Sequence, residues 1–229
     1  PSTRERKKIH QWYYRADNLE HKVALLKHLL KQEEATRTIV FVRKRERVHE
    51  LAEMLRNAGI NNCYLEGEMA QIKRTEGIKR LTDGRVNVLV ATDVAARGID
   101  IPDVSHVINF DMPRSGDTYL HRIGRTGRAG RKGIAISLVE AHDYLLLKKI
   151  GRYVDEPLKA RVIDELRPTT RAPSEKMTGK PSKKALAKRA ERKEKEKEKP
   201  RVKQRHRDTK NIGKRRKPSS ATTEPKTEE

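Results

Sequence analysis

Residues 121–128 read His-Arg-Ile-Gly-Arg-Thr-Gly-Arg, three arginines and two glycines in eight positions. Buried guanidinium groups are costly unless an anion neutralises them. Gly124 and Gly127 let the backbone approach a ligand closely, and Arg125 and Arg128 stand three apart, so a helical turn aims both the same way. Two such forks on one side suit the equatorial charge of a phosphoryl group in transfer. Taken alone, such an octapeptide is more often a solvated basic helix end that merely touches nucleic acid. A second run, Ala91-Thr92-Asp93-Val94-Ala95-Ala96-Arg97-Gly98-Ile99-Asp100-Ile101-Pro102, leaves a strand of the buried type and shifts the balance towards phosphate. Thr92 and Asp93 fall where the carboxyl end of that strand opens onto a ligand crevice. Gly98 permits an unusual backbone angle, and the Asp100 carboxylate can accept from ribose hydroxyls. Either aspartate, by itself, could be an ordinary helix cap.

The elements that position these residues follow from hydrophobic periodicity. Strands are expected over residues 9–14, 38–42, 60–65, 86–91, 104–110 and 133–139, and helices over 18–32, 45–58, 70–82, 116–123 and 142–153. Leu19, Val23, Leu26, Leu29 and Leu30 share one face of the first helix, behind Asp17 or Asn18 as its cap. Val48, Leu51 and Leu55 line the second, with Gly59 just past its end. Strands separated by helices of this length require crossover connections. The expected fold class is α/β, a three-layer sandwich around a mostly parallel sheet. Ligands of such sheets gather at the carboxyl ends of strands, which directs attention to the loops after Val42, Leu65, Ala91 and Phe110.

Composition divides the chain. Its 229 residues hold 54 Lys and Arg against 32 Asp and Glu, a formal charge of +22. Residues 168–229 carry 22 basic and 9 acidic side chains with no Phe, Tyr or Trp, whereas residues 1–167 carry 32 and 23 with every aromatic. A globular domain is expected over 1–167 and a basic low-complexity tail over 168–229, disordered or partly helical. In the tail Lys193 with Glu196 and Lys195 with Glu198 are i,i+3 pairs, each contributing only about 0.2–0.5 kcal/mol to a helix. There is no apolar run of about 18–20 residues and no charged-then-apolar leader, so neither a membrane span nor a membrane partner is expected. The single Cys63 excludes an internal disulfide and fits a reducing compartment, here the cytoplasm. His21, His28 and His49 have no nearby thiol partners, so no metal site is expected. The positive excess points to a polyanion, nucleic acid above all.

The two runs, about twenty residues apart, resemble motifs VI and V of the DEAD-box ATP-dependent RNA helicases. Ile39-Val40-Phe41-Val42 resembles motif IV, Gln71-Ile72-Lys73-Arg74 the QxxR motif, and Asn109-Phe110-Asp111-Met112-Pro113 motif Va, so the likeness covers about residues 8–160. His121, where DEAH-type relatives have Gln, sets the chain apart from them. The resemblance implies the second RecA-like domain of a two-domain enzyme. Arg125 and Arg128 match the arginines that meet the γ-phosphate, Arg128 being the finger, and His121 matches the residue that couples this site to the first domain. Asp100 matches the ribose contact, with Gly98 beside it, while Arg74, Thr92 and Gly98 match positions at the RNA backbone. Arg43, Lys44 and Arg45 stand where relatives often have smaller or hydroxyl residues; they could grip RNA or form a solvated helix start. Glu66 replaces the usual His of the HGxMxQ segment, which puts any role of that His in question.

What the resemblance implies about partners is ATP with Mg²⁺ held by an N-terminal RecA-like domain absent here, structured ribosomal RNA, and ribosomal proteins. Within the family the likeness is strongest to a bacterial member with a similar basic tail, which implies a role in large ribosomal subunit assembly. No GxxxxGK[ST] phosphate loop and no Asp-Glu-Ala-Asp stretch occur, so this chain is expected to supply half of an active site and to hydrolyse no ATP alone. It begins at Pro1 rather than Met, and the expectation is a piece of a longer protein whose preceding residues hold those motifs. The alternative is a non-catalytic RNA-binding or annealing module acting through the basic tail. A DNA helicase half or a structural ribosome-binding domain forms a third class.

Overall fold

Thr38–Val42 and Val88–Thr92 are buried along their whole length, as continuous apolar strands must be when helices cover both faces of a sheet. The structure, a computed structural model, describes residues 8–128 and 130–170. The partial helix expected over 183–199, like the rest of the tail beyond Thr170, lies outside those residues.

In chain order the elements are β1 (Ile9–Arg15), α1 (Leu19–Leu30), β2 (Thr38–Val42), α2 (Arg45–Asn57), β3 (Asn62–Leu65), α3 (Gln71–Thr82), β4 (Val88–Thr92), β5 (His106–Asn109), α4 (Gly116–Ile123), β6 (Gly133–Val139), α5 (Tyr144–Tyr153) and β7 (Lys159–Arg161). The strands form one sheet in the order β3-β4-β2-β5-β6-β1-β7, and every pairing is parallel. Period-two alternation sends Val40, Val42, Val88, Val90 and Ile108 to the face covered by α1 and α2, where they meet Leu25, Leu26, Leu29, Val48, Leu51 and Leu55. The intervening Ile39, Phe41, Leu89, Ala91 and Val107 take the other face, against Leu81 of α3 and the loop residues Ala95, Ile99 and Val104. At the β1 end of that face Tyr119, Ile123, Leu147 and Ile150 from α4 and α5 pack on Ile9, Tyr13 and Ala135.

Several details go beyond what the periodicity settles. β7 was not expected, because Lys159–Arg161 is three exposed residues with no apolar alternation. A 3₁₀ turn, Ala141–Asp143, precedes α5. Asn18, not Asp17, caps α1 by accepting from the His21 amide at 2.9 Å. The crossover from β4 to β5 contains no helix; Ala95, Ala96, Ile99, Ile101 and Val104 bury directly as the loop crosses the sheet.

Candidate functional site

The middle arginine of the cluster is an internal tie. Arg122 lies on the apolar stripe of α4 with Tyr119 and Ile123, and only 1% of it is exposed. Its Nε and Nη2 donate to the two carboxylate oxygens of Asp93 at 2.6 and 2.8 Å. Nη1 donates to Asn109 Oδ1 at 3.0 Å and to the Asp111 carbonyl at 2.6 Å, and the guanidinium lies 5.0 Å from the centre of the Phe41 ring. One side chain thus joins the ends of β2, β4 and β5 to α4. Asp93 is the anion partner of a buried arginine rather than a cap, and a bidentate fork is the geometry that makes such burial tolerable.

Arg125 and Arg128 sit beyond the end of α4 and point elsewhere. Arg128 Nη1 donates to Asp100 Oδ1 at 2.5 Å and its Nε to the Gly124 carbonyl at 2.8 Å, while Arg125 Nη1 donates to the Ile99 carbonyl at 2.5 Å. Arg125 is partly desolvated, and burial, helped by the positive charge of Arg128, lowers its pKa against the opposing pull of Asp100. Cations held close together and partly out of water form a site that an anion stabilises. Gly127, at φ +70°, makes the turn between them; a Cβ there would stand 2.7 Å from Ile9 Cγ1. Gly98, at φ +72°, turns the chain into Asp100. Thr126 is buried and donates to the Val104 carbonyl at 2.5 Å, which fastens this turn to the approach to β5.

Two open clefts flank the cluster. One, of about 380 Å³, is walled by Arg43, Asp93, Arg97, Arg114, His121 and Arg125, and includes residues that follow β2, β4 and β5. The other, of about 400 Å³, is walled by Arg37, Asp100, Ser105, Arg125, Arg128 and Lys132, and includes residues that precede β2, β5 and β6. Arg125 lines both. The carboxyl-end argument therefore covers Thr92 and Asp93 but not Asp100 and Arg128, which stand towards the amino edge. The reason is topological: α4 and the 93–105 loop both run back across the sheet before delivering them. His121 is exposed at the rim of the first cleft, 3.7 Å from Asp117.

The residues assigned to RNA lie at the carboxyl edge. Thr92 ends β4 with its hydroxyl facing the Ala95 amide at 3.4 Å. Arg74, from the first turn of α3, donates to the Ala95 and Arg97 carbonyls at 2.8 and 3.2 Å and so holds the loop that carries Gly98. Arg43 donates to the Met112 carbonyl at 2.9 Å and lies 3.6 Å from Asp143, leaving Nε buried without a partner. Lys44 is exposed. Arg45 pairs with Glu68 at 2.8 Å and Glu66 at 3.5 Å, and Glu66 also meets His49 at 3.0 Å. At the position where relatives carry His, this chain thus neutralises a neighbouring arginine. Two of the three consecutive cations are engaged within the domain. Among the described residues no group of three or more His, Cys, Asp or Glu could hold a metal ion, and no helix is long and apolar enough to cross a membrane.

Residues 21–130 match the helicase conserved C-terminal domain. The ATP-dependent RNA helicase SrmB of Escherichia coli (strain K12) is 84% identical over the whole chain, which spans 52% of that protein. SrmB of Haemophilus influenzae is 61% identical over 96% of the chain and 51% of its own length. The crystal structure of the E. coli DEAD-box protein SrmB bound to regulator of ribonuclease activity A matches at 86% identity with a TM-score of 0.71, covering 72% of this chain and 98% of that one. This chain belongs to the DEAD-box helicase family. It is the C-terminal helicase domain of a DEAD-box protein, its sheet and helices form the RecA-like fold of such domains, and it spans about half the length of the relatives it matches.

Within this DEAD-box domain Asp100, Arg125 and Arg128, which the motif resemblance assigns to one nucleotide site, stand together. The inward role of Arg122 does not follow from the motif spacing. The available signal was its place three after Tyr119 and next to Ile123, an arginine on an otherwise apolar stripe.

Proposed function

We propose that this domain is the second half of an ATP-dependent RNA helicase, completing across a cleft an ATP site whose phosphate loop and Mg²⁺-holding carboxylates belong to a preceding domain. The observation that carries the reading is the meeting of Arg125, Arg128 and Asp100 beside one cationic cleft while Arg122 is wholly engaged inside the domain. Arg125 and Arg128 would stabilise the charge that develops on the transferred phosphoryl group, and Asp100 would accept from the ribose. For Arg128 to reach phosphate it exchanges its bond to Asp100 for one to the nucleotide, a swap between two anions that leaves neither the arginine nor the ribose-bound carboxylate without a partner. His121, exposed beside this site, would contact the preceding domain when the cleft closes.

RNA would lie along the carboxyl edge, at Thr92, Gly98, Arg74, Arg43 and Lys44, gripped by its backbone and hence without sequence preference. The tail, at 22 basic to 9 acidic residues, adds a nonspecific RNA anchor whose affinity falls steeply with salt. Structured ribosomal RNA in large-subunit assembly, ribosomal proteins and a cytoplasmic setting are the context that the family resemblance supports. The complex of the relative SrmB with regulator of ribonuclease activity A supports a protein partner of that kind for this chain as well.

The test compares the full-length protein with the isolated 229-residue chain. The full-length protein hydrolyses ATP in response to RNA and unwinds RNA duplexes, whereas the isolated chain binds RNA and does neither. Turnover by the isolated chain, or full-length unwinding of DNA as readily as RNA, contradicts the reading.

A further inference from the structure

Lys22, near the start of α1, is 2% exposed, and an ammonium group so placed costs free energy unless anions surround it. Its Nζ donates to Asp111 Oδ1 at 3.3 Å, lies 3.3 Å from Glu140 Oε1 and stands 4.7 Å from the centre of the Phe110 ring. Each carboxylate comes from the end of a strand, Asp111 two residues after β5 and Glu140 directly after β6. One ammonium therefore faces two partly exposed acids. His142 is exposed and 3.7 Å from Glu140, too far for a hydrogen bond, and does not stand in for the lysine.

The second oxygen of Asp111 reaches the neighbouring strand. Asp111 Oδ2 accepts from the Arg43 amide at 2.9 Å, which fixes the chain where it leaves β2, and Arg43 Nη2 donates to the Met112 carbonyl at 2.9 Å. The Arg43 side chain is 32% exposed and lines the first cleft. Lys22 thus holds Asp111, Asp111 holds Arg43, and Arg43 is among the residues assigned to RNA. β2, β5 and β6 are parallel neighbours, so Glu140 follows a strand about two spacings, roughly 10 Å, from β2. That is about one Debye length at 0.1 M salt, close enough for a carboxylate stripped of its ammonium to repel a phosphate held at Arg43.

We infer that Lys22 is a positioning residue for RNA: it neutralises one of two strand-end carboxylates and aims the other at the Arg43 amide. Arg43 and Lys44 then meet phosphate without a pair of bare acids beside them, although Lys22 itself touches no RNA. The inference rests on the proposed reading of the carboxyl edge as the RNA-binding edge.

The test uses the full-length protein at a temperature where urea titration shows every variant folded. It measures single-stranded RNA affinity against salt, the kcat of RNA-stimulated ATP hydrolysis, and the RNA concentration that gives half of that rate. Lys22→Met raises the RNA Kd about fivefold or more at low salt, the difference narrows as salt rises, and kcat at saturating RNA stays near the parent value. Adding Glu140→Gln returns the local charge to that of the parent and recovers most of the affinity. Leu26→Ala, fully buried on the same helix, destabilises the domain and leaves the RNA Kd unchanged. A Kd for Lys22→Met within about twofold of the parent, a loss that Leu26→Ala reproduces, or one that Glu140→Gln does not relieve overturns the inference. Where Lys22→Met does not fold, Glu140→Gln alone decides: a Kd lower by about twofold at low salt supports the inference, and an unchanged Kd overturns it. Arg43→Ala separates this inference from the reading beneath it. RNA affinity that survives Arg43→Ala overturns the assignment of Arg43 to RNA and the inference with it, whereas a loss for Arg43→Ala beside none for Lys22→Met overturns the positioning role alone.

Discussion

Replacing Arg122 by methionine keeps much of the side-chain volume and removes the guanidinium. Four hydrogen bonds go with it: two to Asp93, one to Asn109 Oδ1 and one to the Asp111 carbonyl. Breaking a buried ion pair from one side costs about 3–5 kcal/mol, chiefly because the surviving charge is stranded. The Asp93 side chain is 33% exposed, so water recovers part of that loss and the lower end, about 3 kcal/mol, is expected. For a domain of this size such a loss lowers Tm by roughly 10 °C. Substituting Asp93 by asparagine in the same chain removes the stranded charge, and the double variant regains about 1–2 kcal/mol over Arg122→Met alone. Trp12 is the only tryptophan and is 8% exposed, so urea unfolding of the 229-residue chain can be followed by its fluorescence. A loss below about 1 kcal/mol for Arg122→Met, or a double variant no more stable than the single, refutes the picture of Arg122 as a charge-matched tie.

Two further predictions concern the ends of the fold. Hydrogen bonds from Thr170 and Thr169 hold the Asp17 carboxyl well below the usual carboxylate range. A folded-state value that is depressed contributes stability in full above the unfolded value and loses it as acid protonates the group. Asp17→Asn is therefore less stable than the parent at neutral pH, and the two converge in urea titrations as pH falls well below 3.8; a gap independent of pH contradicts the clamp. Gly127→Ala and Gly59→Ala both place a Cβ in the left-handed region, at φ +70° and +75°, but only the first meets Ile9 while the second meets nothing within 4 Å. The Gly59 variant should lose about 1–2 kcal/mol and the Gly127 variant measurably more by thermal unfolding, and equal losses contradict close packing at the arginine turn.

Much of this was legible because the sheet is parallel and covered on both faces. β2, α4 and β6 occupy the ranges that apolar runs and helical spacing predict, since nothing competes with the pattern in a fully buried strand. β7 was illegible for the converse reason: Lys159–Arg161 bury nothing and are recruited by the exposed edge of β1. In the site, residue type and spacing grouped Arg125 with Arg128, yet could not say that Arg122 alone turns inward. That depends on Asp93, 29 positions away, arriving beside it from β4. Likewise Asp17 and Asn18 are equivalent caps by type, and only the returning threonines decide between them.

The central claim is that Arg128 exchanges Asp100 for the phosphate of ATP. It is tested most directly by measuring RNA-stimulated ATP hydrolysis of the full-length protein carrying Arg128→Ala, with RNA affinity determined in parallel. The predicted result is a kcat lower by about 10³–10⁵ with RNA affinity little changed, the loss expected of an arginine that stabilises charge only as the phosphoryl group transfers. RNA-stimulated hydrolysis that survives the substitution would contradict it.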